Sequence, residues 1–274
     1  MAIHVGCGSW TDDAYVGVLY PKDLPKNERL RTYAEWFDRV EVNSSYYAIP
    51  AVKTVAAWAE QTRPGFRFDF KLPKNFSQGP AQAAKDVPRM LAAVQPMVDA
   101  GKLGAFLLTL APSFGPPRHR LDELDAVAEK LAPHPLAVEL RHRDWVDGGA
   151  LAATLDYFRR RRLAWVALDL PRLKDPAILP PLDEVTHPQL AYLRLHGRNP
   201  NYLEAESAAD RHQHDYTAAE LAEIATRIRE LAQHAQDVNV SVNNHFADFA
   251  PKAALALRRL LGQPVRDTMP GSLF

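Results

Sequence analysis

Cysteine is almost absent from this chain. Cys7 is the single one in 274 residues, so no intramolecular disulfide can form and a reducing compartment suits the protein. Charge of either sign is not in excess, with 33 Lys plus Arg against 33 Asp plus Glu. That balance leaves no electrostatic footprint for nucleic acid and predicts no membrane-surface partner. No stretch approaches the roughly 18 apolar residues of a membrane helix. The opening MAIHVGCGSW has neither a basic n-region nor an apolar h-region, so no signal peptide is read there. Also missing are a GxSxG elbow, a P-loop and a GxGxxG turn. Acyl-transfer, NTPase and Rossmann readings therefore lack their motifs. These absences predict a soluble, cytoplasmic protein without membrane or nucleic-acid partners, in which any anion binding comes from a local cluster.

What is present is an ordinary globular composition, 47% hydrophobic and 24% charged. Short apolar runs alternate with amphipathic stretches. Strands are expected at 3–7, 40–42, 66–70, 105–110, 136–140, 164–168, 190–195 and 238–242. Helical spacing places Leu30, Tyr33, Ala34 and Phe37 on one face, and Val52, Val55, Trp58 and Ala59 on another. Further helices are expected over 85–100, 120–131, 149–162, 217–234 and 251–261. Strands that alternate with helices argue for a parallel sheet. Eight such units in a chain of this length argue for a single α/β domain, a (β/α)8 TIM-type barrel over 1–274, with 263–274 as a C-terminal tail. Five prolines between 171 and 188 make the sixth helix irregular. The polar segment 197–216 is expected to form a long, functional loop after strand seven.

Side chains alternate between the two faces of a strand. One parity is almost wholly apolar: Val40 and Val42, Phe68 and Phe70, Val138 and Leu140, Val166 and Leu168, and their counterparts elsewhere. This parity should face the helices. The opposite parity turns polar toward the C-terminal strand ends. It carries Glu41 and Asn43, Asp69 and Lys71, Thr109, Glu139 and Arg141, Asp169, Arg194 and His196, then Ser241, Asn243 and His245. Barrel interiors are usually filled with Val, Ile and Leu, and barrel enzymes place their sites at this end. Seven strands offering polar groups at one depth point to a ligand site. A structural ion-pair network is the competing account, though apolar residues of equal volume often stabilise as well.

Three chemistries fit such a cluster. Lys71, Arg141 and Arg194 suit an anion clamp, because the guanidinium fork matches carboxylate or phosphate, and Arg172 and Arg198 lie in loops close by. Glu139, Glu41, His196 or Asp169 suits proton transfer, provided burial raises a carboxylate's pKa. A divalent metal is conceivable on Glu41, Glu139, Asp169, His196 and His245, but the neighbouring cations and the lack of compact metal spacing argue against it, so no cofactor is expected. Asn43 and Asn243 complete the polar set. Trp10, Tyr46, Tyr47 and Trp145 follow strand ends and either stack on a ligand or cap the core. Cys7 falls on the helix-facing parity, where a buried thiol behaves as a small hydrophobe.

The segments Gly6-Cys7-Gly8-Ser9-Trp10, Glu41-Val42-Asn43-Ser44-Ser45-Tyr46-Tyr47, Lys71-Leu72-Pro73, Glu139-Leu140-Arg141-His142-Arg143-Asp144-Trp145, Arg194-Leu195-His196-Gly197 and Val242-Asn243-Asn244 occur in an order that resembles the DUF72, or YecE-like, family. The resemblance covers most of the chain. It implies a TIM-barrel fold and no particular reaction, and its motif positions coincide with the polar cluster. Two departures stand out. Thr109-Leu110-Ala111-Pro112 replaces the family's usual Gln-Leu-Pro-Pro, and the first loop lacks its usual second tryptophan. Residues and resemblance together predict an enzyme acting by acid/base chemistry on a small anionic molecule, a phosphorylated or acidic sugar or a nucleotide-like compound. The alternatives are a metal-dependent phosphoesterase or isomerase, and a non-catalytic ligand- or partner-binding protein.

Overall fold

The computed structural model describes residues 1–176 and 178–266. The end of the expected C-terminal tail, from 267, lies outside them. Eight strands form one parallel sheet: β1 Ala2–Cys7, β2 Arg39–Val42, β3 Arg67–Lys71, β4 Leu103–Thr109, β5 Leu136–Glu139, β6 Ala164–Asp169, β7 Leu190–Leu195 and β8 Asp237–Val242. Their spatial order is β1-β8-β7-β6-β5-β4-β3-β2. Around the sheet run α1 Arg29–Trp36, α2 Val52–Gln61, α3 Lys74–Gln78, α4 Pro80–Ala83, α5 Val87–Asp99, α6 Asp125–Leu131, α7 Ala150–Arg161, α8 Ala208–Arg211, α9 Ala218–Ala232 and α10 Phe249–Leu260. The protein is a TIM-type α/β barrel. No helix among the described residues is long and apolar enough to cross a membrane.

The barrel is closed at the β1–β2 seam by a side chain. Tyr33 of α1 inserts its hydroxyl there, accepting from the Cys7 N–H at 2.7 Å and donating to the Arg39 carbonyl at 3.1 Å. Only glycine fits opposite: a Cβ on Gly6 would stand 2.3 Å from that same carbonyl. Cys7 is fully buried, and burial pushes its thiol pKa up to about 12. That removes any nucleophilic role for it.

Between β6 and β7 no helix occurs among the described residues. The proline-rich segment instead crosses as coil, pinned where the Trp165 indole donates to the Leu182 carbonyl at 3.0 Å and the Trp165 N–H donates to Thr186 Oγ1 at 2.9 Å. This is the position where the prolines made a regular helix doubtful. The short helices α3, α4 and α8 carry too few turns for apolar periodicity to show them.

The sequence parity needs one correction. Ala167 pairs with Leu193, and Leu168 with Arg194. Arg194 points into the barrel, so Leu168 and Val166 do too, while Trp165, Ala167 and Asp169 face outward. Trp165 accordingly packs on Phe158 of α7, ring centroids 5.3 Å apart. β6 is apolar on both faces, so its alternation carries no phase, and the pairing with β7 sets it.

Candidate functional site

A chain of charges runs up the barrel interior. At its base Arg39 is fully buried and donates to the Val240 carbonyl at 2.7 Å, to the Tyr192 hydroxyl at 2.8 Å and to Asp69. Asp69 also accepts from the Ala105 N–H at 2.9 Å and from Asn239 at 3.0 Å. Tyr192 donates to Glu41 at 3.0 Å, which links this base to the layer above. There Arg194 grips Glu41 through two hydrogen bonds, of 2.6 and 3.0 Å, and reaches Glu139 with its other amino group. Glu139 in turn accepts from Arg141 Nε at 2.6 Å and lies 3.5 Å from His196 Nε2. Every carboxylate in this stack accepts from at least one arginine.

Electrostatics follow from the sharing. Burial alone would raise the Glu41 pKa, but the Arg194 guanidinium outweighs it and holds the carboxyl near 2. Glu139 is likewise pulled well below the usual carboxylate range by Arg141 and Arg194 against its burial. The raised carboxyl pKa expected of an acid catalyst is therefore absent from both. Burial drives the pKa of His196 down to about 4, the Arg194 charge adding to it against Glu139, so this imidazole is neutral at pH 7.

Above this stack opens a cavity of about 570 Å3, within the range of small-molecule sites. Lys71, Arg141 and Arg211 line it, with Asp12 as the carboxylate on its wall. Asn43, Asn243, Tyr46, His212 and His245 are among its other polar lining residues. Glu41, Glu139, Arg194 and His196 lie beneath the floor, each at most 1% exposed. Asn43 Nδ2 donates to Asn243 Oδ1 at 3.0 Å and to the Gly8 carbonyl at 2.9 Å. A Cβ on Gly8 would lie 2.5 Å from Asn243 and 2.6 Å from His245, so that glycine keeps the floor open.

Lys71 ends β3, and the backbone that carries it is fixed by Ser45, whose Oγ lies 2.6 Å from the Lys71 carbonyl and 2.7 Å from that of Val42. Its Nζ stands 4.4 Å from the centre of the Tyr46 ring. Among the described residues the Lys71 Nζ has no hydrogen bond or ion pair. Burial, then the charges of Arg194 and Arg141, lower its pKa to about 7. Arg141 hydrogen-bonds through Nε, and its side chain is 29% exposed, so its terminal amino groups face the cavity.

Two expected site residues are placed elsewhere. Asp169, on the outward face of β6, accepts from Arg198 at 2.7 Å, Arg227 at 2.7 Å and the Tyr216 hydroxyl at 2.8 Å. It ties the β6 end to α9 and is saturated there. Trp145 donates its indole N–H to the Phe114 carbonyl at 2.7 Å and stacks on that ring, away from the cavity. Trp10 is buried against Trp58, centroids 5.0 Å apart. Tyr47, 84% exposed, stands at the cavity rim.

The loop after β7 adds residues that no strand pattern could reveal. Tyr202, Arg211 and His212 all line the cavity. His212 is tied back to the His196 carbonyl at 2.8 Å and its ring stacks on that of His196, centroids 5.2 Å apart. Burial, then neighbouring His196, lowers its pKa to about 3. The one signal available was the loop's length and polarity.

These features define a class: a (β/α)8 barrel with a ligand-sized, cation-lined mouth built on a buried ion-pair stack. Its family is equally plain. A family model described as protein of unknown function DUF72 matches residues 4–272, and the chain belongs to that family. It is 22% identical over 254 residues to the UPF0759 protein YunF of Bacillus subtilis, covering 89% of each. It is 31% identical over 160 residues to the UPF0759 protein YecE of Escherichia coli K12, covering 56% of this chain and 54% of the other. Among solved structures it is similar to a DUF72 family protein of Enterococcus faecalis, with TM-score 0.87 and 26% identity over 99% of this chain and 100% of that one. It is also similar to a DUF72 family protein of Thermotoga maritima, with TM-score 0.85 and 27% identity over 96% and 100%.

Proposed function

We propose that this protein is an enzyme acting by acid/base chemistry on a small anionic substrate, a phosphorylated or acidic sugar or a nucleotide-like molecule. The observation that carries the reading is the lining of the mouth: Lys71, Arg141 and Arg211 against Asp12, with the outer amino groups of Arg141 turned toward the space. Counting the floor as well, four cations (Lys71, Arg141, Arg194, Arg211) face three carboxylates (Asp12, Glu41, Glu139) when Lys71 is protonated. Arg141 and Arg211 take the anionic group. Lys71, whose pKa of about 7 lies near the working pH, moves the proton, as efficient acid/base catalysis favours. Glu139 and Glu41 act through their arginines as positioning residues, and Arg194 locks both.

A metal-dependent phosphoesterase or isomerase has less behind it. Among the described residues, no three His, Cys, Asp or Glu side chains come together in a way that could hold a metal ion.

The test is a thermal-shift screen with inorganic phosphate, sugar phosphates, nucleotides, dicarboxylates and divalent metals, with and without chelator. A ligand at roughly 100 times its Kd stabilises the fold by about 2.7 kcal/mol. Stabilisation by anions that disappears in Arg141→Ala supports the reading, and turnover of the stabilising compound completes it. Retention without turnover would leave a binding protein. Silence toward every anion overturns the anionic substrate.

A further inference from the structure

We infer that Lys71 is a covalent nucleophile that captures an aldehyde or ketone bearing an anionic group, holding it as a Schiff base at the barrel mouth. This rests on the proposed anionic site and deepens it by naming the reacting group of the substrate.

The amine is placed as such a nucleophile must be. The Lys71 amine is part-exposed on the cavity wall and makes no hydrogen bond or ion pair among the described residues, while the arginines and carboxylates around it are paired. Glu41 and Glu139, the carboxylates on the adjoining floor, are both committed to arginines. They do not draw Lys71 into an ion pair, which would fix it as an ammonium. A lysine becomes nucleophilic when it is desolvated or set beside another cation, and Lys71 meets both conditions. Burial and then the charges of Arg194 and Arg141 leave a large unprotonated fraction at neutral pH. Tyr46, beneath Nζ, gives the amine an aromatic wall to rest on. Its π-face favours the charged form, as do the Glu139 and Glu41 carboxylates.

Geometry supplies the selectivity. Lys71 ends β3 and Arg141 follows β5, two strands further round the barrel. Neighbouring strands are about 4.8 Å apart, so the backbones that carry the two side chains are separated by roughly 10 Å, and both side chains line the one cavity. An amine and a guanidinium on one cavity wall suit a short carbon chain with a carbonyl at one end and a phosphate or carboxylate at the other. The anion would rest on the open amino groups of Arg141, with its carbonyl carbon over Nζ.

The step balances without an oxidant or a reductant. The Nζ lone pair adds to the carbonyl carbon, the C–O π pair moves to oxygen, and that oxygen takes up the proton that the nitrogen sheds. The resulting carbinolamine then breaks its C–O bond. The hydroxyl leaves as water with one further proton, and the nitrogen lone pair closes the C=N bond. The ammonium-like iminium that remains is an electron sink for bond cleavage or proton loss at the adjacent carbon.

The experiment treats the whole protein with sodium cyanoborohydride and one of two probes, glycolaldehyde phosphate or neutral glycolaldehyde, and maps the alkylated lysines by mass spectrometry. Exposed Lys22 and Lys53 report background reactivity. Expected is labelling of Lys71 at least tenfold above Lys22 and Lys53 with the phosphorylated probe, a smaller excess with the neutral one, and slowing of the former by inorganic phosphate. Lys71→Arg should abolish the excess and keep stabilisation by phosphate. Labelling of Lys71 no faster than that of Lys22, while phosphate still stabilises the protein, overturns the nucleophile and leaves the anion site standing. Loss of both overturns both. Equal excess with the two probes keeps the nucleophile and removes the anionic requirement.

Discussion

Arg194 holds Glu41 in a two-point grip, Nη2 to Oε1 at 2.6 Å and Nε to Oε2 at 3.0 Å, with both side chains wholly buried. The grip decides what Glu41 can do. A carboxylate with both oxygens engaged and its pKa held near 2 neither donates nor accepts protons at neutral pH. It fixes Arg194, which fixes Glu139, which fixes Arg141 at the cavity. Glu41 thus reaches the site through three side chains.

Removing one partner of such a pair leaves a buried charge uncompensated, at a cost of about 3 kcal/mol or more. Glu41→Gln should therefore lower Tm by on the order of 6–12 °C for a domain of this size. The sign of its pH dependence follows from the depressed pKa. The contribution is complete above the ordinary carboxyl value of 4.5 and is lost as pH falls from there toward 2. Urea titrations from pH 7 to pH 3 should show a steeper loss for the wild type than for Glu41→Gln. Parallel curves would mean that the grip contributes nothing to stability.

The Tyr33 hydroxyl at the barrel seam gives a second test. Tyr33→Phe removes a partner from both the Cys7 N–H and the Arg39 carbonyl. A buried group left unsatisfied costs about 1–3 kcal/mol, so a loss of about 2 kcal/mol is expected. Amide exchange at Cys7 should quicken at least tenfold. Unchanged exchange there would show that the two strands close without the hydroxyl.

Much of this was legible in the sequence, for reasons that also set its limits. Strands β2, β3, β5, β7 and β8 each have one apolar face and one that carries polar groups, so their phase can be read, and with it the convergence of Glu41, Lys71, Glu139, Arg141 and Arg194. β6 is apolar on both faces, and reading it one residue out of phase brought Asp169 inside. Arg39 was invisible because the apolar run that marks β2 begins one residue later, at Val40. The cavity wall from Tyr202, Arg211 and His212 depends on how an irregular loop folds back, which leaves no periodicity to detect. The direction of the carboxylate pKa values was hidden for another reason. Burial alone raises them, and only pairing distances show that the guanidinium groups win.

Asp169 tests that correction. Since it joins Arg198, Arg227 and Tyr216 on the helix side of β6, Asp169→Asn should lower stability while leaving the shift produced by phosphate within about twofold in affinity. Arg198 keeps Glu223 and Arg227 keeps Asp183 as partners, so the cost should fall below the full figure of about 3–5 kcal/mol for an orphaned buried charge. Loss of anion binding with no loss of stability would return Asp169 to the site.

Lys71 makes the mouth sensitive to pH near neutrality. It is faced by Arg141 and Glu139 from the β5 end, Arg194 from β7, Glu41 from β2, His245 beyond β8 and the ring of Tyr46. Its folded pKa of about 7 lies below the ordinary 10.5. Between those values the unfolded chain holds a proton that the folded chain lacks, so this residue makes stability rise with pH across that window. Lys71→Met should lack the rise, which denaturant titrations at pH 7 and pH 9 would reveal as a narrowing gap between the two proteins. A bound anion works the other way. It favours the ammonium, so affinity for sulfate, which does not itself titrate here, should fall as pH climbs from 6 to 9. Calorimetry in buffers of different ionisation enthalpy should show proton uptake on binding. Lys71→Met should bind sulfate more weakly, with a flat pH profile and no uptake. A wild-type profile as flat as that of the variant would place the titrating group outside the anion's reach, and Lys71 would then be a bystander to binding.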